Sequence, residues 1–301
     1  MKLEEANKRY AAFHRFKNNW LGWVFAIPTV ILMYIFIWRP IVIGIAYSFF
    51  EMKGYTPVKF IGLENYRQIL SDTNFIQVLT NTLKYCGWSL LFSYFTPLII
   101  AVMVNEMVRS KGYFKFTLYL PTMIPMVACC MLFKMIYFDD VGGLINMVIT
   151  KFGGEPMRFL SNKLIVIPLI AIMTTWKGMG GGMIMYLATL QGVDQSQYEA
   201  ARIDGAGVWS RIRYVLWPHM RGIMLLLLIT HIIGTFSITE EPMVLTGGGP
   251  NGASTTMGLM SYMYAFQFGQ NEKSIALGVV KFLMLMVLTV VYFGLDKKVN
   301  E

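Results

Sequence analysis

The chain has 301 residues, 55% of them hydrophobic and only 14% charged, where a soluble domain carries about 25% charge. That composition excludes an ordinary water-soluble fold and points to a polytopic membrane protein. The net charge is +9, but the basic residues gather at the ends of apolar runs, as topology signals do, so nucleic acid is not the expected partner.

In chain order, residues 1–19 form a polar N-terminal segment, expected in the cytoplasm. No signal peptide is expected, because the first apolar run is too long and meets Arg39-Pro40 rather than a small-residue cleavage site. A spanning helix needs about 20 apolar residues. Six runs qualify: 20–49, 79–104, 116–138, 164–190, 223–238 with an extension to 244, and 274–295. Backbone in lipid must satisfy its own hydrogen bonds, so these are helices and the fold class is all-α. A short basic turn with Arg109, Lys111 and Lys115 joins the second and third.

Between the first two spans, Phe60 to Tyr66 opens an amphipathic stretch with Leu63, Tyr66 and Leu70 at helical spacing. It fits a helix on the membrane surface or a docking element. Gly153-Gly154-Glu155-Pro156 is a turn signal. The lysine and arginine bias places both termini and the loop around Glu199 inside, with Lys53, Lys59, Arg67, Lys151, Arg158, Lys163 and Lys273 outside. Cys86, Cys129 and Cys130 lie in apolar runs and are expected to be free thiols.

Ionisable residues within spans are costly and mark either a path for solute or interhelical pairs. Lys134, Lys177, Glu240 and Glu241 qualify, with Lys281 less deep. Tyr137, Trp176 and Phe236 offer flat faces for a sugar ring, and Thr235, Ser237 and Thr239 hydrogen-bonding groups. The expected pathway set is Lys134, Tyr137, Trp176, Lys177, Phe236, Thr239 and Glu240. Gly178, Gly180, Gly181 and Gly182 allow either close helix packing or a broken helix beside a cavity.

The run Gly247, Gly248, Gly249, Pro250 and Asn251 has glycine spacing like a phosphate loop, but Ala253 stands where that loop needs lysine. It reads as a mobile outer loop that touches an external binding protein. No catalytic constellation or metal-ligand spacing is present, and His14, His219 and His231 are far apart in sequence. An enzyme is not expected, nor any cofactor or metal.

The loop over 191–221 places Glu199, Arg202, Asp204, Arg211 and Arg213 between two apolar runs. Residues 195–204 are expected to form a short helix, ended by Gly205 and Gly207. A second helix over 208–217 is expected to stop at Pro218. Ala200 and Ala201 let a partner surface come close, while Glu199 and Asp204 present carboxylates to it.

Tyr198-Glu199-Ala200-Ala201-Arg202-Ile203-Asp204-Gly205-Ala206-Gly207 closely resembles the EAA loop of permease subunits of binding-protein-dependent ABC importers. Trp176 to Gly180, Leu187 to Gln191 and Trp217-Pro218 are similar to that family's flanking motifs. Leu245 to Pro250 and Gly62 to Tyr66 are similar to its carbohydrate-importing branch. The resemblance runs over 20–298. It departs at Val193-Asp194-Gln195, where the family commonly has Ile-Pro, and at Asn271 to Ala276, where it has Gly-Tyr-Ala-Ser-Ala.

The resemblance implies a MetI-like transmembrane domain of type I importers. Glu199, Ala200, Ala201, Asp204 and Gly205 would couple to a cytoplasmic ABC ATPase dimer. A second permease subunit would complete a heterodimer, and an extracytoplasmic solute-binding protein would deliver a carbohydrate or oligosaccharide across a prokaryotic cell membrane. The alternatives are a non-sugar solute, such as a glycerophospho compound, and a self-contained secondary transporter. The latter would need its own mid-membrane carboxylates, for which Glu240 and Glu241 are the candidates.

Overall fold

The computed structural model describes residues 20–107, 109–192 and 195–300. The expected N-terminal cytoplasmic segment, 1–19, and the Val193-Asp194 departure lie outside them. Helix α1 (Trp20–Met33) runs through a π turn at Tyr34–Trp38 into α2 (Arg39–Tyr47). A hairpin of β1 (Phe50–Lys53) and β2 (Thr56–Phe60) follows, then α3 (Glu64–Ser71). The second span is α4 (Thr73–Ser89), a π turn at Leu90–Tyr94 and α5 (Phe95–Glu106). The third is α6 (Lys111–Tyr119), a 3₁₀ turn and α7 (Met126–Ile136), followed by α8 (Leu144–Lys151). The fourth is α9 (Val166–Leu190). Then come α10 (Gln195–Ile203), α11 (Val208–Arg211), a π turn at Ile212–Leu216 and α12 (Trp217–Phe236). Last are α13 (Glu240–Thr246), α14 (Met257–Tyr262) with a π turn at Met263–Gln267, and α15 (Asn271–Asn300).

Four of these units are long and apolar enough to cross a membrane: Gly22–Tyr47, Thr73–Glu106, Trp209–Phe236 and Asn271–Gly294. The bent pair Lys111–Met123 and Met126–Ile136 makes a fifth. The remaining predicted span, α9, has 25 residues and so is about 38 Å long. Lys177 and its glycines dilute its apolarity.

Three expectations change. The third span is not one rod: it bends by 95° at Ile124-Pro125, because a residue before proline leaves the helical region and Ile124 sits at ψ 131°. The fifth span ends at Phe236 instead of running on to Val244, and a separate helix starts at Glu240. Pro218 does not stop a helix, since Trp209–Phe236 is continuous. A proline lacks its N–H and crowds the carbonyl four residues earlier. For Pro218 that residue is Tyr214, inside the π turn, where the wider i→i+5 turn relieves the crowding. Pro40 and Pro97 stand in the same relation to their own π turns.

The hairpin is an unanticipated β element in an otherwise helical chain. It pairs Phe50 with Phe60 and Lys53 with Thr56, with a bulge between Glu51 and Met52. On α3 the buried side is Asn65 and Ile69, not the Leu63/Tyr66/Leu70 stripe: Leu63 is 68% exposed. Asn65 donates to the carbonyls of Ser48 (2.9 Å) and Phe50 (3.0 Å), and Tyr66 donates to Ser48 Oγ (2.6 Å). Those bonds fasten α3 to the end of the first span.

The core is organised around α9. One half of it, with Val166, Ile170 and Met173, packs with Tyr85, Cys129, Cys130, Phe133 and Leu245. Its other half, with Met183, Tyr186 and Leu190, packs with Leu98, Ala101, Leu216 and Met220. The glycines make this possible. A Cβ on Gly180 would lie 2.6 Å from Tyr119 Cα, and one on Gly182 would lie 2.8 Å from Pro97 Cβ. Thus α9 is unbroken, and Gly180 and Gly182 serve close packing, whereas a Cβ on Gly178 would meet nothing within 4 Å. All three cysteines are buried and free.

Candidate translocation cavity and coupling loop

Between α4, α9 and α12 lies a cavity of about 410 Å³, within the usual range for small-ligand sites. Each wall carries a stripe at four-residue spacing: Ser89, Ser93 and Pro97; Thr174, Gly178, Gly182 and Tyr186; Thr230, Gly234 and Ile238, beside His231 and Thr235. Tyr94, Leu227 and Glu241 complete it. The polar groups are tied to one another. Ser89 Oγ lies 2.9 Å from His231 Nε2 and 3.0 Å from Thr235 Oγ1. Ser93 Oγ lies 2.6 Å from Thr175 Oγ1, and Tyr94 OH donates to Met224 O at 2.8 Å. These bonds give an apolar bundle a hydroxylated inner wall.

None of the seven residues expected on the pathway lines this cavity. Tyr137 and Trp176 pack against Phe133, with ring centroids 5.5 and 5.4 Å from it. Phe236 is 1% exposed, in the third core cluster. Thr239 Oγ1 bonds to Ser237 O at 3.0 Å, in the break between α12 and α13, and Glu240 is exposed. Lys177 is half-buried; its ammonium donates to Thr122 O at 3.3 Å while Thr122 Oγ1 donates to Lys177 O at 3.0 Å. Lys134 is exposed and borders a second pocket of about 270 Å³ with Asp139, Ser161, Thr246, Gly249 and Pro250. The structure therefore brings Lys134 to the glycine-rich loop, not to the central cavity. Of the ionisable residues flagged within spans, Glu241 lines the cavity; the fuller signal was the hydroxyl and glycine stripes at i, i+4, which put small and polar groups on one face of three apolar helices.

The glycine-rich loop is not a free strand. Gln77 donates to Asn251 O (2.9 Å), Asn81 to Gly252 O (2.7 Å) and Thr255 O (3.1 Å), and Tyr85 to Ser254 O (3.2 Å). Gly247 and Gly248 take φ of 61° and 88°, open to glycine without strain. Residues 253–260 are buried, leaving Gly247 and Asn251 exposed. The expectation of a mobile loop gives way to a stapled one, because the amides of α4 point at its carbonyls.

At the other end, α10 closes with a Schellman turn. Gly205 sits at φ 76°, and Ala206 N donates to Ala201 O at 2.9 Å. Asp204 N donates to Ala200 O at 2.9 Å, and Arg211 N to Gly207 O at 3.1 Å opens the next helix. Ala200, Asp204 and Gly205 are exposed and Ala201 is half-buried. Glu199 lies on α10, and its side chain is outside the described residues. Ile203 is 85% and Trp209 74% exposed, so the elbow offers apolar surface as well as charge. Its base is tied down: Arg211 Nη2 lies 3.2 Å from Glu106 Oε2, and Lys111 Nζ donates to Asn105 O at 2.7 Å at the end of α5.

Residues 93–301 match the family described as "Binding-protein-dependent transport system inner membrane component". The chain belongs to this family. It is an ABC importer permease, a multi-pass inner-membrane protein and a transport subunit. Relatives span nearly its whole length. The lactose transport system permease protein of Rhizobium radiobacter is 31% identical and covers 90% of this chain and 91% of its own. The arabinooligosaccharides transport system permease protein of Bacillus subtilis (strain 168) is 28% identical, with coverages of 91% and 88%. The permease is also similar to a chain of a bacterial ABC transporter involved in the import of the acidic polysaccharide alginate. The two share 26% identity and a TM-score of 0.82, over 96% of this chain and 99% of that one. The permease is equally similar, at 26% identity and a TM-score of 0.82, to a chain of a bacterial alginate ABC transporter in complex with an alginate pentasaccharide-bound periplasmic protein. The MetI-like, predominantly helical fold stands on these matches.

Proposed function

We propose that this permease forms half of the translocation pathway for a carbohydrate or oligosaccharide. The observation that carries the reading is the hydroxyl-lined cavity between α4, α9 and α12. Serine, threonine and tyrosine hydroxyls both donate and accept, which suits the alternating donors and acceptors of a glycan. The names of the relatives support the same class of solute. A second permease subunit, in a heterodimer, would close the cavity. A solute-binding protein would hand over the sugar near Gly247 to Asn251, and an ATPase dimer would dock on Glu199, Ala200, Ala201, Asp204 and Gly205. Both termini would then be cytoplasmic, in the cell membrane of a prokaryote. Motion of α10 would reach the cavity through the continuous helix Trp209–Phe236.

The test is uptake of labelled neutral oligosaccharides by cells with and without this chain, in the presence of its partner subunits. Uptake that is independent of the chain, or of ATP, sinks the reading. Orientation is checked by single cysteines at Tyr55, Asn251 and Asp204, all exposed. An impermeant thiol reagent should label only the first two in intact cells.

A further inference from the structure

The cavity wall is hydroxylated, yet one of its groups is a carboxylate. Glu241 stands in the first turn of α13, just past the break that ends α12, and is 8% exposed. It lines the cavity beside Gly234, Thr235 and Ile238. Among the described residues no lysine or arginine lies within ion-pair distance of it; the ion pair there is Arg211 with Glu106, at the far end of the span. Lys177 acts on it only through space: its ammonium donates to Thr122 O at 3.3 Å and is not part of the wall. Of the cavity-lining groups, only the His231 ring can become cationic, and its Nε2 is engaged with Ser89 Oγ at 2.9 Å.

Backbone N–H groups at the start of α13 bear on that carboxylate, and its cavity side is left to a solute that supplies further hydrogen-bond donors. The vicinal hydroxyls of a sugar do so: a carboxylate accepts two O–H hydrogens side by side, and charge-assisted bonds of this kind are strong. The same carboxylate repels an anionic solute in a cavity whose wall carries no lysine or arginine. Taking the carbohydrate reading as its basis, we propose that Glu241 is the specificity-determining residue of this half-pathway. It accepts the hydroxyls of an uncharged glycan and bars oligouronates and other polyanions. This chain would then differ in cargo charge from the alginate importer whose fold it shares.

The experiment uses the complete importer in proteoliposomes, with its partner permease, ATPase and binding protein. Lactose, maltotriose and arabinotriose serve as neutral probes, and mannuronate and galacturonate trimers as acidic ones. Rates are normalised to the amount of assembled complex. Wild type should import at least one neutral probe and neither uronate trimer. Glu241→Gln, nearly isosteric but able to accept at only one oxygen, should lower neutral uptake at least about tenfold. Glu241→Asp should retain a measurable fraction of that uptake, which separates loss of the carboxylate from loss of shape. Import of a uronate trimer by the wild type, or neutral uptake by Glu241→Gln within twofold of wild type, overturns this proposal and leaves the importer assignment standing. Uptake of a labelled amino acid or peptide in place of every glycan would instead overturn the carbohydrate reading.

Discussion

Helices α9 and α15 are the two longest in the chain, at 25 and 30 residues, and they invert the rule learned from soluble proteins. The segment Asn271–Gly294 is the most apolar candidate span, yet among the described side chains of α15 only Ala276 and Leu277 are fully buried. The α9 helix carries a lysine, three threonines and four glycines, and it has buried residues along its length, from Val166 to Leu190, packed against three neighbouring spans. The α1–α2 span repeats the α15 pattern, with Phe25 75% and Phe36 71% exposed in the single chain. In a bilayer, apolarity marks the surface that meets lipid or another membrane subunit. The packed centre is marked by small residues that let backbones approach.

The sharpest way to break that contrast is the same substitution on each helix. Gly180→Ala places a methyl against the Leu118 carbonyl and the Tyr119 Cα, at 2.6 Å from the latter. Backbone must move, so a loss of about 3 kcal/mol is expected, read as a fall in folded, assembled complex on thermal challenge. Gly278→Ala on α15 meets nothing within 4 Å. There the gain in helix propensity, about 1 kcal/mol at most, should leave the complex unchanged or slightly more stable. Equal destabilisation by the two changes would refute the central role of α9.

The next largest effect concerns the base of the elbow. Arg211 and Glu106 side chains are 10% and 21% exposed. Glu106→Gln should cost about 2 kcal/mol after allowance for partial solvent screening. A double-mutant cycle with Arg211→Gln should show coupling between the two positions; strict additivity would remove the pair as a tether of α11 to α5.

Gly205→Val is smaller in stability and larger in function. Its φ of 76° costs a branched residue about 1–2 kcal/mol, confined to the exposed turn. Transport and stimulated ATPase activity should drop while the amount inserted in the membrane holds. Wild-type uptake in this variant would dissociate the elbow from coupling.

Lys177→Met is the mildest. It removes one long hydrogen bond to Thr122 O, 3.3 Å, worth about 1 kcal/mol or less. Uptake per assembled complex should stay near wild type, with a modest fall in complex yield. A large loss of uptake at normal yield would return Lys177 to the pathway.

Most of the apolar spans, the helical class and the end of the short helix at Gly205 were legible from the chain because each is local. About 20 apolar residues imply a helix in lipid, and a glycine after a short polar helix implies a left-handed cap. The break after Phe236 and the continuity through Pro218 were not legible, because both depend on how neighbouring turns share a few backbone hydrogen bonds. The cavity was half legible. Its serines, threonines and glycines recur every fourth residue in plain view, but only packing shows that the three stripes face one space. Charge was an uneven guide: Glu241 lines the cavity, but the ammonium of Lys177 closes on a carbonyl of the adjoining span, and Phe236, a candidate for sugar stacking, is sealed in a core cluster.

The sequence by itself determined that this protein crosses a membrane several times, which end of each span is basic, and where the chain turns sharply between α10 and α11. Periodicity and composition suffice for that, since they act within one helix. The tertiary structure alone decided which polar groups meet in the cavity, that the glycine-rich loop is bound to α4, and that Glu241 rather than Glu240 faces inward. Those outcomes turn on the rotation of one helix against another. A shift of a single residue, about 100° around a helix, moves a carboxylate from the outer surface to the wall of the path.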